Sequence, residues 1–266
     1  MRFEYRKETI SNINQNLTVR IMLPNGYDAT EKRYPVLYHH DGQDIFNDKD
    51  SVFGDSLQYE QYYNEYGRFM PDIILVAIDC PEHRAERTRL YSPYTKHFNT
   101  EGKNFEPYIE GQGKEYLQWI TNILKPSIDS SYRTLATPEF TGIGGSSTAG
   151  LISTYALLCY PDVFTRGLLM SSAYYIWYDL LQETLSSKSA THIKSLYMDL
   201  GTNEFGRMTT AEQFLQGNDF VYEYFLSEGL NSDVFKYTIY PDDTHTQICW
   251  KRRFPDAIRW IFKDFI

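Results

Sequence analysis

Three kinds of side chain in this sequence are placed where they could act together on a carbonyl carbon. The first is a serine. Gly145-Ser146-Ser147-Thr148-Ala149 lies between a strand-like approach, residues 139–143, and a helix-like run, residues 150–160. A sharp strand-to-helix turn exposes a serine hydroxyl, and small neighbours are needed where helix meets strand, hence the pattern G-x-S-x-G. Here the last position is Ala149 with Gly150 after it, so the spacing is kept and the composition departs by one methyl. Over these five residues alone, a Gly/Ser-rich loop opening a helix would look the same.

A serine hydroxyl is a poor nucleophile at neutral pH and needs a base, which in turn needs an acid to orient it. His245, in Asp242-Asp243-Thr244-His245-Thr246-Gln247, follows a strand-like run at 234–240 and precedes the last helix, and no other histidine lies beyond His192. Two carboxylates fall where the acid is needed. Glu204 lies on the turn after the strand-like run 195–200, and Asp199 lies at the end of that run. Glu204 is preferred, because a residue just beyond the strand can reach across the carboxyl edge of a sheet. Asp199 then reads as a structural carboxylate capping the turn through backbone amides. Asp242 and Asp243 are too close to His245 and read as turn formers. The chain order serine, acid, histidine, each after a strand, is that of the α/β-hydrolase arrangement.

A tetrahedral intermediate also needs amide donors. Thr148, next after the serine, supplies one. The turn Asp41-Gly42-Gln43-Asp44 supplies the other, with Gln43 preferred and Gly42 or Asp44 as alternatives. His39, His40, Asp41 and Asp44 invite a metal reading, but no second ligand cluster exists elsewhere, and residues 41–50 lack the EF-hand order. The expectation is no metal and no cofactor.

The elements that must hold these residues follow from hydrophobic pattern. Residues 1–24 read as two alternating strands, and 34–40 as a short apolar strand. Residues 72–79 form a continuous apolar run, as in a parallel strand buried on both faces. Further strands are expected at 167–171, 195–200 and 234–240, and helices at 115–128, 211–229 and 250–265, with Pro126 kinking or closing the first. Antiparallel strands followed by strand/helix alternation imply an α/β fold. It has a mostly parallel central sheet, an antiparallel N-terminal edge and helices on both faces. One domain, 1–266, is expected.

Residues 82–114 break the rhythm. They carry His83, Arg84, Arg87, Arg89, Tyr91, Tyr94, His97, Phe98, Phe105 and Tyr108 without a clean period. Long irregular segments in compact domains are often functional. This one reads as a lid-like insertion shaping the substrate mouth, which makes Arg87 and Tyr91 candidate substrate contacts.

A net charge of -9 without a basic tract argues against nucleic acid and anionic membrane surfaces as partners. Cys80, Cys159 and Cys249 form no C-x-x-C pair and read as free thiols in a reducing compartment. The N-terminus has no apolar signal-like region, and a cytoplasmic location is expected. A small-molecule ester is the expected partner, and the oligomeric state is left open, a homo-oligomer included.

Several stretches together resemble one family. They are Tyr38-His39-His40-Asp41-Gly42-Gln43-Asp44-Ile45-Phe46, Arg87 with Tyr91-Ser92-Pro93, Ile128-Asp129-Ser130-Ser131-Tyr132-Arg133-Thr134, the segment from Gly145 through Leu151, Tyr160-Pro161-Asp162-Val163-Phe164, and His245 with Trp250 five residues on. In this order they resemble the Putative esterase family of α/β-hydrolases, which includes enterochelin esterase-like, feruloyl and acetyl-xylan esterases, esterase D-type enzymes and mycolyltransferases. The resemblance implies Ser147 as nucleophile, His245 as base, an acid on the Glu204 loop, and amides near Gln43 and Thr148 as oxyanion hole. It also implies Trp177 near the acyl or alcohol site, with ordinary core packing as the alternative for that residue. Thr148 and Ala149 depart from the family's Met-Gly after the serine, which bears on the pocket floor and the tilt of the turn.

These readings converge on a serine carboxylic ester hydrolase working through an acyl-enzyme, on a small or an aromatic or carbohydrate-linked ester. An acyltransferase with the same triad, or an inactive binding protein on this fold, are the alternatives.

Overall fold

In chain order the strands are β1 (Arg2–Ile10), β2 (Gln15–Leu23), β3 (Val36–His40), β4 (Ile74–Ile78), the two-residue β5 (Lys96–His97) and β6 (Tyr108–Ile109), β7 (Thr141–Ser146), β8 (Arg166–Met170), β9 (Ser195–Gly201) and β10 (Phe235–Tyr240). The helices are α1 (Tyr59–Tyr66), α2 (Arg84–Leu90), α3 (Gly113–Trp119), α4 (Lys125–Ser131), α5 (Thr148–Cys159), α6 (Tyr178–Ser187), α7 (Ala211–Ser227) and α8 (Gln247–Ile261). They are taken from a computed structural model that describes residues 1–52, 54–98, 108–206 and 209–266. Phe105 and the rest of 99–107, part of the segment read as a lid, lie outside the described residues.

Eight strands form one sheet in the order β1-β2-β4-β3-β7-β8-β9-β10, while β5 and β6 pair separately. β1 pairs antiparallel with β2, and β2 antiparallel with β4. From β4 to β10 every pairing is parallel. The alternation of side chains along a strand explains the two cores. In β4, Ile74, Val76 and Ile78 join one core, and Leu75 and Ala77 join the other. α5 is apolar on nearly all sides and is buried against the first core. α8 is amphipathic and covers the second core with Trp250, Phe254, Ala257, Ile258 and Ile261. The mostly parallel sheet with an antiparallel edge is the architecture expected from the sequence.

Two local expectations need correction. The helix read at 115–128 is longer: α3 and α4 are joined by a π turn over Ile120–Leu124. Pro126 has no N–H and its ring crowds the carbonyl four residues earlier, and the wider turn falls just there, so the helix runs on rather than closing. The stretch read as aperiodic contains α2, whose C-terminal residue Leu90 is buried and is followed by buried Tyr91 and Ser92. Among the described residues no helix is long and apolar enough to cross a membrane.

Because β3, β7, β8, β9 and β10 run parallel, their carboxyl ends share one edge of the sheet. Four non-glycine residues beyond these ends have positive φ: Asp41 (56°), Ser147 (62°), Ser171 (44°) and Asp242 (61°). Such conformations cost on the order of 1–3 kcal/mol each and persist only where surrounding contacts over-determine them. The candidate site lies at this edge.

Candidate active site

Ser147 follows β7 directly and precedes α5, on a backbone of φ 62° and ψ −125°. Its amide donates to the Met170 carbonyl at 3.0 Å, and its carbonyl accepts from Ala173 at 3.0 Å. These bonds pin the turn to the end of β8. The methyl of Ala149, one of the departures noted in the sequence, is accommodated by Gly145: a Cβ there would lie 2.5 Å from the Ala149 Cβ. Glycine at 145 thus leaves the space that alanine at 149 fills, and the turn stays tight.

The Ser147 hydroxyl donates to His245 Nε2 at 2.9 Å, and His245 Nδ1 lies 2.9 Å from Glu204 Oε2. A nitrogen facing a carboxylate carries the proton, so Nδ1 donates and Nε2 is left as an acceptor for the hydroxyl. Glu204 is wholly buried, whereas the His245 side chain is 21% exposed and Ser147 half-buried. The acid is thus sealed and the serine and histidine remain reachable. Phe214 and Trp250 pack against the imidazole with ring centroids 5.0 and 4.8 Å away, fixing its plane.

Backbone contacts bring the acid and histidine loops together. Asn203 N–H donates to the Asp243 carbonyl at 3.0 Å, and Asp242 N–H to Thr202 Oγ1 at 2.8 Å. Gly201, at the end of β9, allows this approach, since a Cβ there would lie 2.2 Å from the Asp243 oxygen.

Glu204 Oε1 accepts from Ser171 Oγ at 2.5 Å and from the Gly201 amide at 2.7 Å, while the Trp250 indole N–H donates to Ser171 Oγ at 2.8 Å. Capping of this turn, expected of Asp199, is therefore done by Glu204. Asp199 faces Arg253 instead, at 3.0 Å, and accepts from Tyr197 Oη at 3.1 Å. Arg253 also lies 3.5 Å from Glu204 and 3.4 Å from Asp243. Burial, opposed by Arg253 and reinforced by Glu204, pushes the Asp199 carboxyl up to about 7.

Ser171, Trp250 and Arg253 support the site and were not singled out as site residues from the sequence. Arg253 left a trace, since it falls within the stripe Trp250, Phe254, Ala257 of an amphipathic helix, where a charged residue needs a buried partner.

On the other side of Ser147, Asp41 and the short turn Gly42–Asp44 follow β3. A Cβ on Gly42 would lie 2.7 Å from the Ala77 carbonyl carbon, so the turn rests directly on the β4 backbone. The Gln43 side chain accepts from Cys80 N–H at 2.9 Å and donates to Cys80 Sγ at 2.8 Å. Among the described residues, the backbone amides of Gln43 and Thr148 have no hydrogen-bond acceptor. For Thr148 the reason is its place in the first turn of α5, where N–H groups have no intrahelical acceptor. His39 and His40 are wholly enclosed beneath this turn, and burial lowers them to about 4 and about 3, so both are neutral structural groups at neutral pH.

The residues expected to contact substrate are placed differently. Tyr91 is completely buried, with its hydroxyl accepting from the Asp41 amide at 3.1 Å. Trp177 is equally buried, packed against Tyr94 and Phe98. Neither is exposed to solvent: both fill positions in the larger core, which for Trp177 is the packing alternative read from the sequence. Arg87 is mostly buried and pairs with Asp41.

A protein-family model described as "Putative esterase" matches residues 10–261. "Uncharacterized protein YbbA" of Bacillus subtilis (strain 168) is 26% identical over 256 residues, covering 93% of each chain. Among solved structures, an IroE-like serine hydrolase from Shewanella oneidensis superposes with a TM-score of 0.77 at 24% identity, over 100% of this chain and 81% of that one. The enterobactin esterase FES from Shigella flexneri, in the presence of 2,3-dihydroxy-N-benzoyl-glycine, gives 0.74 at 14% identity, over 100% of this chain and 60% of that one. The siderophore hydrolase EstA from Aspergillus nidulans gives 0.74 at 18% identity, over 99% and 95%.

Proposed function

The chain belongs to the Putative esterase family and is a carboxylic ester hydrolase; from that premise we propose that it acts through Ser147, His245 and Glu204 by way of an acyl-enzyme. The observation that carries this reading is the unbroken hydrogen-bond chain from Ser147 Oγ through both imidazole nitrogens to a sealed carboxylate. As Ser147 Oγ attacks the ester carbonyl, Nε2 takes its proton. Glu204 holds the tautomer and stabilises the imidazolium that forms. The Gln43 and Thr148 amides receive the negative charge that develops on the carbonyl oxygen. His245 then protonates the leaving alcohol, and a water activated at Nε2 releases the acid and restores Ser147.

The ester we propose carries an aromatic group. Phe205, next to the acid, is a large apolar side chain exposed to solvent, and Tyr175 and Phe214 form an aromatic pair beside His245. The compound named for the FES structure likewise bears an aromatic group, carried there on an amide nitrogen.

Hydrolysis of a panel of p-nitrophenyl and aryl-acid esters by the wild type and by Ser147→Ala tests both parts. Turnover should be lost in Ser147→Ala, with aryl acids preferred over alkyl acids of equal length. Turnover that survives in Ser147→Ala removes the serine from the mechanism. Equal rates for aryl and alkyl acids remove the aromatic preference and leave the mechanism standing.

A further inference from the structure

Arg87 spans the two loops that carry the candidate oxyanion amides. Its Nε and Nη2 donate to the two carboxylate oxygens of Asp41, both at 2.7 Å. Its Nη1 donates to Thr148 Oγ1 at 2.6 Å, and Nη2 reaches the Ser146 carbonyl at 3.4 Å. The guanidinium also lies over the Tyr91 ring, 5.1 Å from its centroid, and the Tyr91 hydroxyl holds the Asp41 amide. Asp41 stands two residues before Gln43, in a left-handed conformation that its neighbours must enforce. Thr148 is itself the second amide donor. Its hydroxyl, found where the family resemblance leads one to expect methionine, gives Arg87 an acceptor that an apolar side chain could not offer.

We propose that Arg87 is a positioning residue for the oxyanion hole, setting the separation and aim of the Gln43 and Thr148 amides through Asp41 on one side and the Thr148 hydroxyl on the other. This rests on the reading of Ser147 and those amides given above. A planar fork with fixed donors can hold a carboxylate bidentately while reaching a third acceptor, and an ammonium cannot. Oxyanion donors act only when aimed at the oxygen's transition-state position, so a small displacement costs rate without costing ground-state binding.

The test uses Arg87→Lys and Thr148→Val in the full chain, with an arylboronic acid as a probe whose tetrahedral adduct on serine places an oxygen where the oxyanion forms. For Arg87→Lys the acylation rate should fall about 10- to 100-fold, on the scale of a misaimed or lost donor. The boronate inhibition constant should rise by a similar factor, while the ester concentration that half-saturates acylation changes less than about twofold. Thr148→Val, which keeps the shape and removes only the acceptor, should show the same split several-fold smaller. In Arg87→Ala, millimolar guanidinium should restore part of the acylation rate. Wild-type acylation and boronate affinity in Thr148→Val overturn the bridging role, whatever Arg87→Lys does, including failure to fold. Losses in which half-saturation weakens as much as the rate overturn it too, because they mark general damage. Failure of the serine mechanism looks different: boronate and ester then act on Ser147→Ala as on the wild type.

Discussion

Two mostly buried arginines flank the same serine and carry opposite loads. Among the described residues, Arg87 pairs with one carboxylate, Asp41, through two parallel bonds. Arg253 is shared by Asp199, Glu204 and Asp243, none of them closer than 3.0 Å. The consequence is electrostatic. Burial works against the charge of Asp41, but Arg87 outweighs it and holds that carboxyl below its ordinary range. On the other side burial outweighs Arg253, which Asp199 shares with Glu204 and with Asp243 (itself also paired with Arg252), and Glu204 adds to the effect, so the Asp199 carboxyl is raised to about 7. The amide-donor side therefore holds its carboxylate in a close two-bond grip. The acid–base side is a crowded network in which Glu204 faces His245 and Asp199 can carry the surplus proton.

The largest effect separating the two sides is expected at the acid. Glu204→Ala should lower the catalytic rate by about 10³- to 10⁴-fold, the scale seen when the orienting carboxylate of a triad is lost. Asp199 is occupied by Arg253 and Tyr197 and should not replace it. Steady-state turnover retained above about a tenth of wild type would show that Asp199 takes over, and the distinction between the two carboxylates would fall.

Next comes stability. Arg253→Met leaves buried carboxylates without their cation and should destabilise by about 3–5 kcal/mol, as breaking a buried pair does. Urea unfolding at neutral pH measures it, and a loss under about 1 kcal/mol would mean the network does not depend on its arginine.

The two sides should also titrate in opposite directions. Asp199 binds its proton more tightly folded than unfolded, so the stability it contributes is complete below its ordinary value of 3.8 and is lost as pH rises through about 7. Asp199→Asn should therefore gain on the wild type in urea midpoint as pH goes from 5 to 8. Asp41 is the reverse. Its contribution is present above 3.8 and is lost as pH falls through its lowered folded value, so the deficit of Asp41→Asn should shrink in acid. Parallel pH profiles for the two variants would erase the contrast. The smallest effect is expected for Trp250→Phe, which removes only the indole bond to Ser171. About 1 kcal/mol of stability is at stake, with the aromatic packing on His245 largely kept.

Much of the architecture was legible in the sequence because buried parallel strands are written as short continuous apolar runs, such as Ile74–Ile78. The antiparallel edge was legible from the alternation around residues 17–23. α1, α2 and α6 were not legible. They are short, and α2 (Arg-Ala-Glu-Arg-Thr-Arg-Leu) has no apolar stripe, its position being set by contacts with distant loops. At the site, the chain order of Ser147, Glu204 and His245 could be read from residues beyond successive strands. Their supports could not. The Arg87–Asp41 contact joins residues 46 apart, and Arg253–Asp199 residues 54 apart, and no local pattern encodes either. Tyr91, singled out from the aperiodic segment, and Trp177, singled out through the family resemblance, are both buried, and core packing accounts for their places.

Intact-mass analysis after exposure to a fluorophosphonate, with peptide mapping of the adduct, tests the central assignment most directly. One adduct on Ser147 in the wild type, none in Ser147→Ala, and labelling slowed by orders of magnitude in His245→Ala is the predicted result. An adduct that forms in Ser147→Ala at the wild-type rate, or ester turnover by a wild-type protein that takes no label, would contradict it.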